Sequence, residues 1–540
     1  MSKRKAVFFL IYPIFLAACA AEKPVIESLD TQTDSSGTGF IVIKGLGFGN
    51  ERGESFVNAD GVFPTASSYK SWSDNEIIVR IPEFCESGLI YVHKNGKKSN
   101  PMIFVTAHSL PRLSRLARTD RPVIDSVSPK EAFTGAVVTI TGSGFGETRR
   151  QKNSLYGEAR FTRPQISGAE PDGLFITPNE NAGGYLSWRE REIKIRIPDG
   201  AGSGFISVFG EGGESARIPF SAQRRGGEKN MRGKGAFIIS YSTDIVIEDA
   251  PGDFIIYLWA PRPVFSASQR VKEILSRTVE PFLENYHGKD LYKFSGLKIG
   301  DKKTITTEMI VETWAVETRV ESALVNTESP PDFEKFFLEE SRLVPCGDDE
   351  IKSAAKKIVL NEHNPYRKAR LIYDELLTYD IGVEHKNGGA LDALRSKKAD
   401  AYSISLLFCA LSRAAGVCAA PVSGVVVDAQ NNAYNHYWAQ FYLKDFGWVP
   451  LDVSFGAGSA PYPYTFTNER KNYYFGNIDN QRVAFSEGEA ELSKMDVRGR
   501  LTSFERVYSL QNIFEEAAGE LNAYSSHWGE VIVGGSYYNN

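Results

Sequence analysis

An internal repeat constrains this chain more than any other feature. One segment opens with Pro24-Val25-Ile26-Glu27-Ser28 and another with Pro122-Val123-Ile124-Asp125-Ser126. In each, an alternating apolar run then ends in a glycine turn. The first copy reads Phe40-Ile41-Val42-Ile43-Lys44-Gly45-Leu46-Gly47-Phe48-Gly49, and the second Val137-Val138-Thr139-Ile140-Thr141-Gly142-Ser143-Gly144-Phe145-Gly146. A Ser-Trp pair follows in both, Ser71-Trp72 and Ser187-Trp188, and a Ser-Gly step leads a further strand pattern at Gly88 and Gly204. The glycine turns are 97 residues apart and the tryptophans 116, so the second copy carries a 19-residue insertion, within 147–185. Period-two alternation bounded by Gly and Pro turns predicts a β-sandwich for each copy. The glycines serve tight turns that need positive φ. They do not form a phosphate loop, because no helix follows them. Trp72 and Trp188 read as core residues.

The G-x-G-F-G turn and the Ser-Trp-Ser-Asp strand (Ser71–Asp74) resemble IPT/TIG domains, which are immunoglobulin-like modules. The resemblance covers 24–106 and 121–221 nearly end to end. The linkers are polar: 111–121 holds four arginines, and 223–235 is rich in Arg, Lys and Gly. Both read as solvated joints. Residues 236–345 alternate again and are expected to be β-rich. From Asp348 the pattern turns helical, with helices expected over 350–359 and 364–377, Pro365 starting the second. Strands are expected at 422–427, 436–442 and 447–453. Residues 501–540 are read as an amphipathic helix near 504–521 followed by a loose Gly/Tyr/Asn tail.

Within 346–500 three stretches carry chemistry. Asp400-Ala401-Tyr402-Ser403 leads into Leu406-Leu407-Phe408-Cys409-Ala410-Leu411-Ser412-Arg413-Ala414-Ala415-Gly416-Val417. His436-Tyr437-Trp438-Ala439-Gln440-Phe441-Tyr442 and Gly447-Trp448-Val449-Pro450-Leu451-Asp452-Val453-Ser454 follow. Together they resemble the nucleophile helix, the histidine strand and the aspartate strand of the transglutaminase-like superfamily. That resemblance implies an α+β, papain-like core with a Cys-His-Asp triad. Aligning on Arg413 and Gly416 puts Ala401 at the nucleophile position, with His436 as base and Asp452 as its orienter. The chemistry needs a thiolate, and a methyl group cannot attack a carbonyl. Cys409 is eight residues on, about 12 Å along a helix, and its neighbours are apolar, so it reads as a core residue. Ser403 faces about 200° away from position 401. Asp400 is adjacent, but no mechanism joins it to His436.

At the N-terminus, Lys3-Arg4-Lys5 precedes a short apolar run, 6–15, too short to span a membrane. Leu16-Ala17-Ala18-Cys19 resembles a bacterial lipobox, which implies a signal sequence over 1–18 and lipid on Cys19. Ala20 in the next position favours the outer membrane. The expected site is the cell envelope, with lipid as the only membrane attachment. Cys85, Cys346, Cys409 and Cys418 are too scattered for a disulfide framework or a metal site, and no cofactor is implied. A net charge of −5 implies no nucleic-acid partner.

The expected architecture is therefore two Ig-like sandwiches, a β-rich region and an α+β core. The function expected first is a binding or scaffold lipoprotein with an inactive core that holds a protein, peptide or glycan. The alternatives are an active cysteine peptidase or amidase acting on cell-wall peptide or protein, and a purely structural envelope protein.

Overall fold

The computed structural model describes residues 23–539, apart from 105–120, 164–174, 82–87 and several shorter internal stretches. The expected signal sequence, Cys19, Cys85 and most of the linker 111–121 lie outside the described residues. No helix among the described residues is long and apolar enough to cross a membrane.

The two repeats fold as β-sandwiches of the same strand order. In the first, one sheet runs Val25–Thr33, Gly39–Leu46, Glu76–Val79, Tyr69–Trp72. In the second the matching order is Val123–Ser128, Val137–Ser143, Glu192–Arg196, Tyr185–Trp188. The facing sheets match as well: Phe56–Ala59 pairs with Gly88–Lys94, and Glu158–Thr162 with Gly204–Gly210. The tryptophan contact is duplicated, since Trp72 Nε1 donates to Phe48 O (3.1 Å) and Trp188 Nε1 to Phe145 O (2.9 Å). Within the insertion, Arg150–Gln151 and Ser154–Leu155 form a small hairpin, and Phe175–Ile176 adds to the edge of the strand Glu158–Thr162.

Gly45 and Gly142 explain why the turns are glycine. A Cβ on Gly142 would overlap the carbonyl oxygen of Val123 and lie 2.6 Å from Phe145 Cζ, and Gly45 stands in the same relation to Val25 and Phe48.

The segment after the second sandwich departs from expectation. The basic run 223–235 is not a solvated joint. Most of it opens a 23-residue strand, Gly227–Asp249, which pairs antiparallel with the 19-residue strand Lys302–Val320. Arg224 and Lys229 both bind Asp199 of the second sandwich, at 2.9 and 2.6 Å. An arginine and a lysine can leave water when one carboxylate serves both, and composition does not reveal that partner.

The C-terminal segment is also corrected. No helix forms over 504–521 and the tail is not loose. Glu515–Gly519 pairs with Phe254–Pro261, while Ala523–Trp528 and Ile532–Asn539 both pair with Gly227–Asp249. Glu515-Glu516-Ala517-Ala518 would favour a helix in isolation, but the open edge of a sheet takes it. Both glutamates are buried and satisfied: Glu515 accepts from Tyr524 Oη and Trp528 Nε1, and Glu516 from the backbone N–H of Met495 and Asp496.

The core packs the helices Asp349–Val359, Pro365–Leu376, Ala390–Ser396 and Ala401–Ala414 against a sheet ordered Gly447–Leu451, Ala433–Leu443, Ala419–Val427, Arg482–Glu487. Ala401–Ala414 is buried from Tyr402 to Arg413, as a helix apolar on every side must be. Arg413 ends it by donating to Ala419 O and Glu339 O, so its role is to tie helix to sheet.

Gly142→Ala is expected to destabilise the second sandwich by about 1–3 kcal/mol, the usual cost of overpacking a closed site. Thermal unfolding of the variant beside its parent would read this. An unchanged Tm would mean that the strand crossing at Val123 is looser than described.

Candidate functional site

Ala401 is the first residue of its helix. Asp400 caps that helix: its side chain accepts from Ser403 N at 2.9 Å, while Ser403 Oγ accepts from Asp400 N. The ring of Tyr402 lies 5.0 Å from that of Tyr437, so the helix start rests on the strand that carries His436. Side chains alternate along this strand. Tyr437, Ala439 and Phe441 face the helix in the main core. The next positions, His436, Trp438 and Gln440, face the other way.

His436 and Asp452 are brought together, with Nε2 and Oδ2 2.8 Å apart. Both residues are buried, His436 at 1% exposure. The contact makes Nε2 the donor toward the carboxylate, leaving Nδ1 as the free ring nitrogen. Nδ1 has no hydrogen-bond partner among the described residues. Phe455 tilts over the imidazole at 4.9 Å, and Trp438 stacks at 6.2 Å.

Sequence reasoning missed Arg482. Its Nη1 donates to Asp452 Oδ2 at 2.6 Å, the same oxygen that meets His436, and its Nε and Nη2 bind Asp479. Asp452 Oδ1 accepts from Phe455 N at 3.0 Å and caps the short helix Val453–Ala457. Burial alone would raise the Asp452 carboxyl, but His436 and Arg482 outweigh it and hold the group down at about 2. Burial works against the charge on Arg482 too, and Asp479 and Asp452 reverse this, so its guanidinium is held more firmly charged than usual. The only sequence signal was a lone arginine at the head of the apolar run Val483-Ala484-Phe485.

A second missed residue, Arg506, forms an ion pair with Asp400 and lies 4.5 Å over the ring of Tyr402. Tyr437 Oη donates to Val507 O at 3.0 Å. The segment around 506–507 therefore lies across the start of the helix that begins at Ala401.

No sulfur is hydrogen-bonded to His436 among the described residues. Cys409 is fully buried and burial pushes its thiol up to about 12, while Cys346 is also raised by burial and donates to Leu338 O. No group of three or more His, Cys, Asp or Glu side chains among the described residues could hold a metal ion. The arrangement brings His436 and Asp452 together and can position a proton acceptor.

Comparison with known proteins matches 24–102 and 122–220 to the IPT/TIG domain and 352–453 to the transglutaminase-like superfamily. The chain carries two IPT/TIG domains and a transglutaminase-like domain. An uncharacterised protein of Haemophilus influenzae is 26% identical over 276 residues, covering 42% of this chain and 73% of that protein. A candidate cysteine protease from Cytophaga hutchinsonii is similar over 58% of this chain and 93% of its own, at 14% identity and a TM-score of 0.38. SGBP-B, from a xyloglucan utilization locus of Bacteroides uniformis, matches over 55% of this chain and 99% of its own, at 11% identity and a TM-score of 0.14.

Arg482→Met is expected to cost about 3–5 kcal/mol, because it leaves the buried Asp452 and the half-buried Asp479 without their guanidinium. Urea unfolding would measure it. Asp452 also predicts an acid limit. Its folded pKa lies below the ordinary value, so its stabilisation is present above about pH 4 and is lost as pH falls toward about 2. The parent should lose stability in that window, and Asp452→Asn should be weaker at neutral pH with a flatter acid profile.

Proposed function

We propose that this chain is a cell-envelope lipoprotein, lipid-anchored through Cys19 and sorted to the outer membrane, whose transglutaminase-like domain binds rather than cuts. In this reading Ala401 stands at the nucleophile position, and His436 and Asp452 are remnants of the triad. The domain, presented on two Ig-like spacers, serves as a binding or scaffold module for a protein, peptide or glycan.

The observation that carries the reading is the shared carboxylate. In a working triad the aspartate's charge is reserved for the imidazolium that forms as the nucleophile loses its proton. Here Arg482 already occupies the same oxygen. A fixed guanidinium so close opposes a second positive charge on His436 and spends the carboxylate on structure. The methyl at position 401 and the arginine at 482 argue the same way from two separate elements. The segment around Arg506, drawn onto the helix start, is consistent with a face that no longer admits a scissile bond.

The test is Ala401→Cys. A helix N-terminus favours thiolate, so the introduced thiol should have a pKa below the free value of about 8.5. At neutral pH a small alkylating probe should label it faster than Cys346, Cys409 or Cys418, located by peptide mapping. The parent should show no peptidase, amidase or transglutaminase activity. Parent activity that is lost in His436→Ala would overturn the reading and establish an active enzyme. An introduced thiol no more reactive than the native ones would mean that position 401 does not face a base at all.

A further inference from the structure

A cavity of about 190 Å³ lies where the second sandwich, the long-stranded middle domain and the core meet. It opens on the face of the strand Ala433–Leu443 opposite the Ala401 helix, beyond His436. Trp438 and Gln440 line it from that strand, Trp448 from the next, and Glu487 and Arg482 from the neighbouring strand Arg482–Glu487. Trp314 and Phe265 close it from the middle domain, and Pro198 from the sandwich. We propose that this cavity is a saccharide-binding site that takes one pyranose ring of a neutral glycan, with Gln440 and Glu487 as its hydrogen-bonding residues. The proposal rests on the reading of this chain as a binding module and names the ligand class.

Three observations carry it. The first is composition. The wall is aromatic, and two of its rings keep surface available: Phe265 is 37% exposed and Trp448 is half-buried. The C–H face of a sugar packs on such rings while its hydroxyls turn to polar groups. The second is polar groups without partners. Gln440 and Glu487 make no side-chain hydrogen bond among the described residues, although both face the cavity. Both are half-buried, so water or a ligand in the space they face is their partner. By contrast, the neighbouring charges are engaged: Lys229 with Asp199, and Arg482 with Asp452 and Asp479. The third is size. A dry cavity of about 150 Å³ accepts a benzene ring, so this space fits a single six-membered ring with its substituents.

The charge state of Glu487 favours a hydroxyl over an amine. Burial pushes its carboxyl up to about 7, and Lys229 only partly offsets this. A carboxyl half protonated at neutral pH both donates and accepts, as a sugar hydroxyl does. A site built for a cation would hold the carboxylate ionised instead.

Binding would be measured on the full chain by ligand-observed saturation-transfer NMR and tryptophan fluorescence. The probes are cellotriose, which carries hydroxyls only, chitotriose, which carries acetamido groups, and trialanine as the peptide control. One or both trisaccharides should bind and shift the tryptophan emission, and trialanine should not. Which trisaccharide binds separates a plain glucan from an amino-sugar polymer. Gln440→Ala and Glu487→Ala should each weaken binding about tenfold, as expected for loss of a hydrogen bond, whereas Glu487→Gln, which keeps a donor and an acceptor, should bind as the parent does. Glu487→Gln guards against misfolding, since it keeps the shape and removes a carboxyl that burial disfavours. Absence of binding to both trisaccharides, binding untouched by the two alanine variants, or preference for trialanine would overturn the proposal. Labelling at Ala401→Cys reports separately on the core, so failure here leaves the inactive-triad reading standing.

Discussion

The whole arrangement hangs on one long antiparallel pair, Gly227–Asp249 against Lys302–Val320. Near its start, Lys229 leaves water to meet Asp199 of the second sandwich and the backbone oxygen of Trp448 in the core. The same carboxylate accepts from Arg224 and from the backbone N–H of Trp448. One aspartate thus ties three parts of the chain together. Burial lowers the Lys229 pKa, and Asp199 opposes it; Asp199 itself is held down by Lys229 and Arg224 against its own burial. Such a cluster contributes little net stability compared with apolar packing, yet any single member is costly to remove. Its consequence is geometric, because it fixes how the sandwich meets the core. Further along, the same strand waits for Ala523–Trp528 and Ile532–Asn539 from the chain's last residues. Pairings of such sequence separation close late and make folding slow.

The His436–Asp452 pair obeys the same physics at smaller scale. A buried carboxylate needs cations or N–H donors, and Asp452 has His436, Arg482 and the N–H of Phe455. Those partners would keep the strand ends and the short helix Val453–Ala457 in register whether or not any reaction takes place. The pair therefore has a structural role: deleting Asp452 removes the buried carboxylate on which His436, Arg482 and the N–H of Phe455 converge. This structural load is reason enough for His436 and Asp452 to be where they are, and the pair does not by itself argue for or against turnover.

The sequence was legible where the signal was local. Both sandwiches could be read from Gly45, Gly142, Trp72 and Trp188, because each acts within its own repeat and each has a steric or hydrogen-bonding reason to be what it is. The contact of His436 with Asp452 could be read from two adjacent strand motifs. What was not legible depended on distant partners. Glu515-Glu516-Ala517-Ala518 has helical preferences, and only the free edge of Phe254–Pro261 makes it a strand. Lys229 looks solvated until Asp199 is beside it, and Arg482 looks like a surface residue until two aspartates converge on it. The run holding Lys229 was read by its hydration, Glu515 and Glu516 by helix preference, and Arg482 went unread; tertiary pairing decided each.

These two buried networks also bound the interdomain cavity, with Asp199 and Lys229 on one side and Arg482 and Asp479 on another. Polar groups in a low-dielectric wall are held hard in place, because any that drifts from its partner loses the full cost of its desolvation. The wall is therefore pre-organised, and Gln440 and Glu487 sit on strands of the same sheet, which cannot easily flex. Rigid polar groups beside partly exposed rings lower the ordering cost of binding. The ion pairs around Asp452 thus shape the neighbouring space, on the opposite face of the histidine strand from the helix that begins at Ala401.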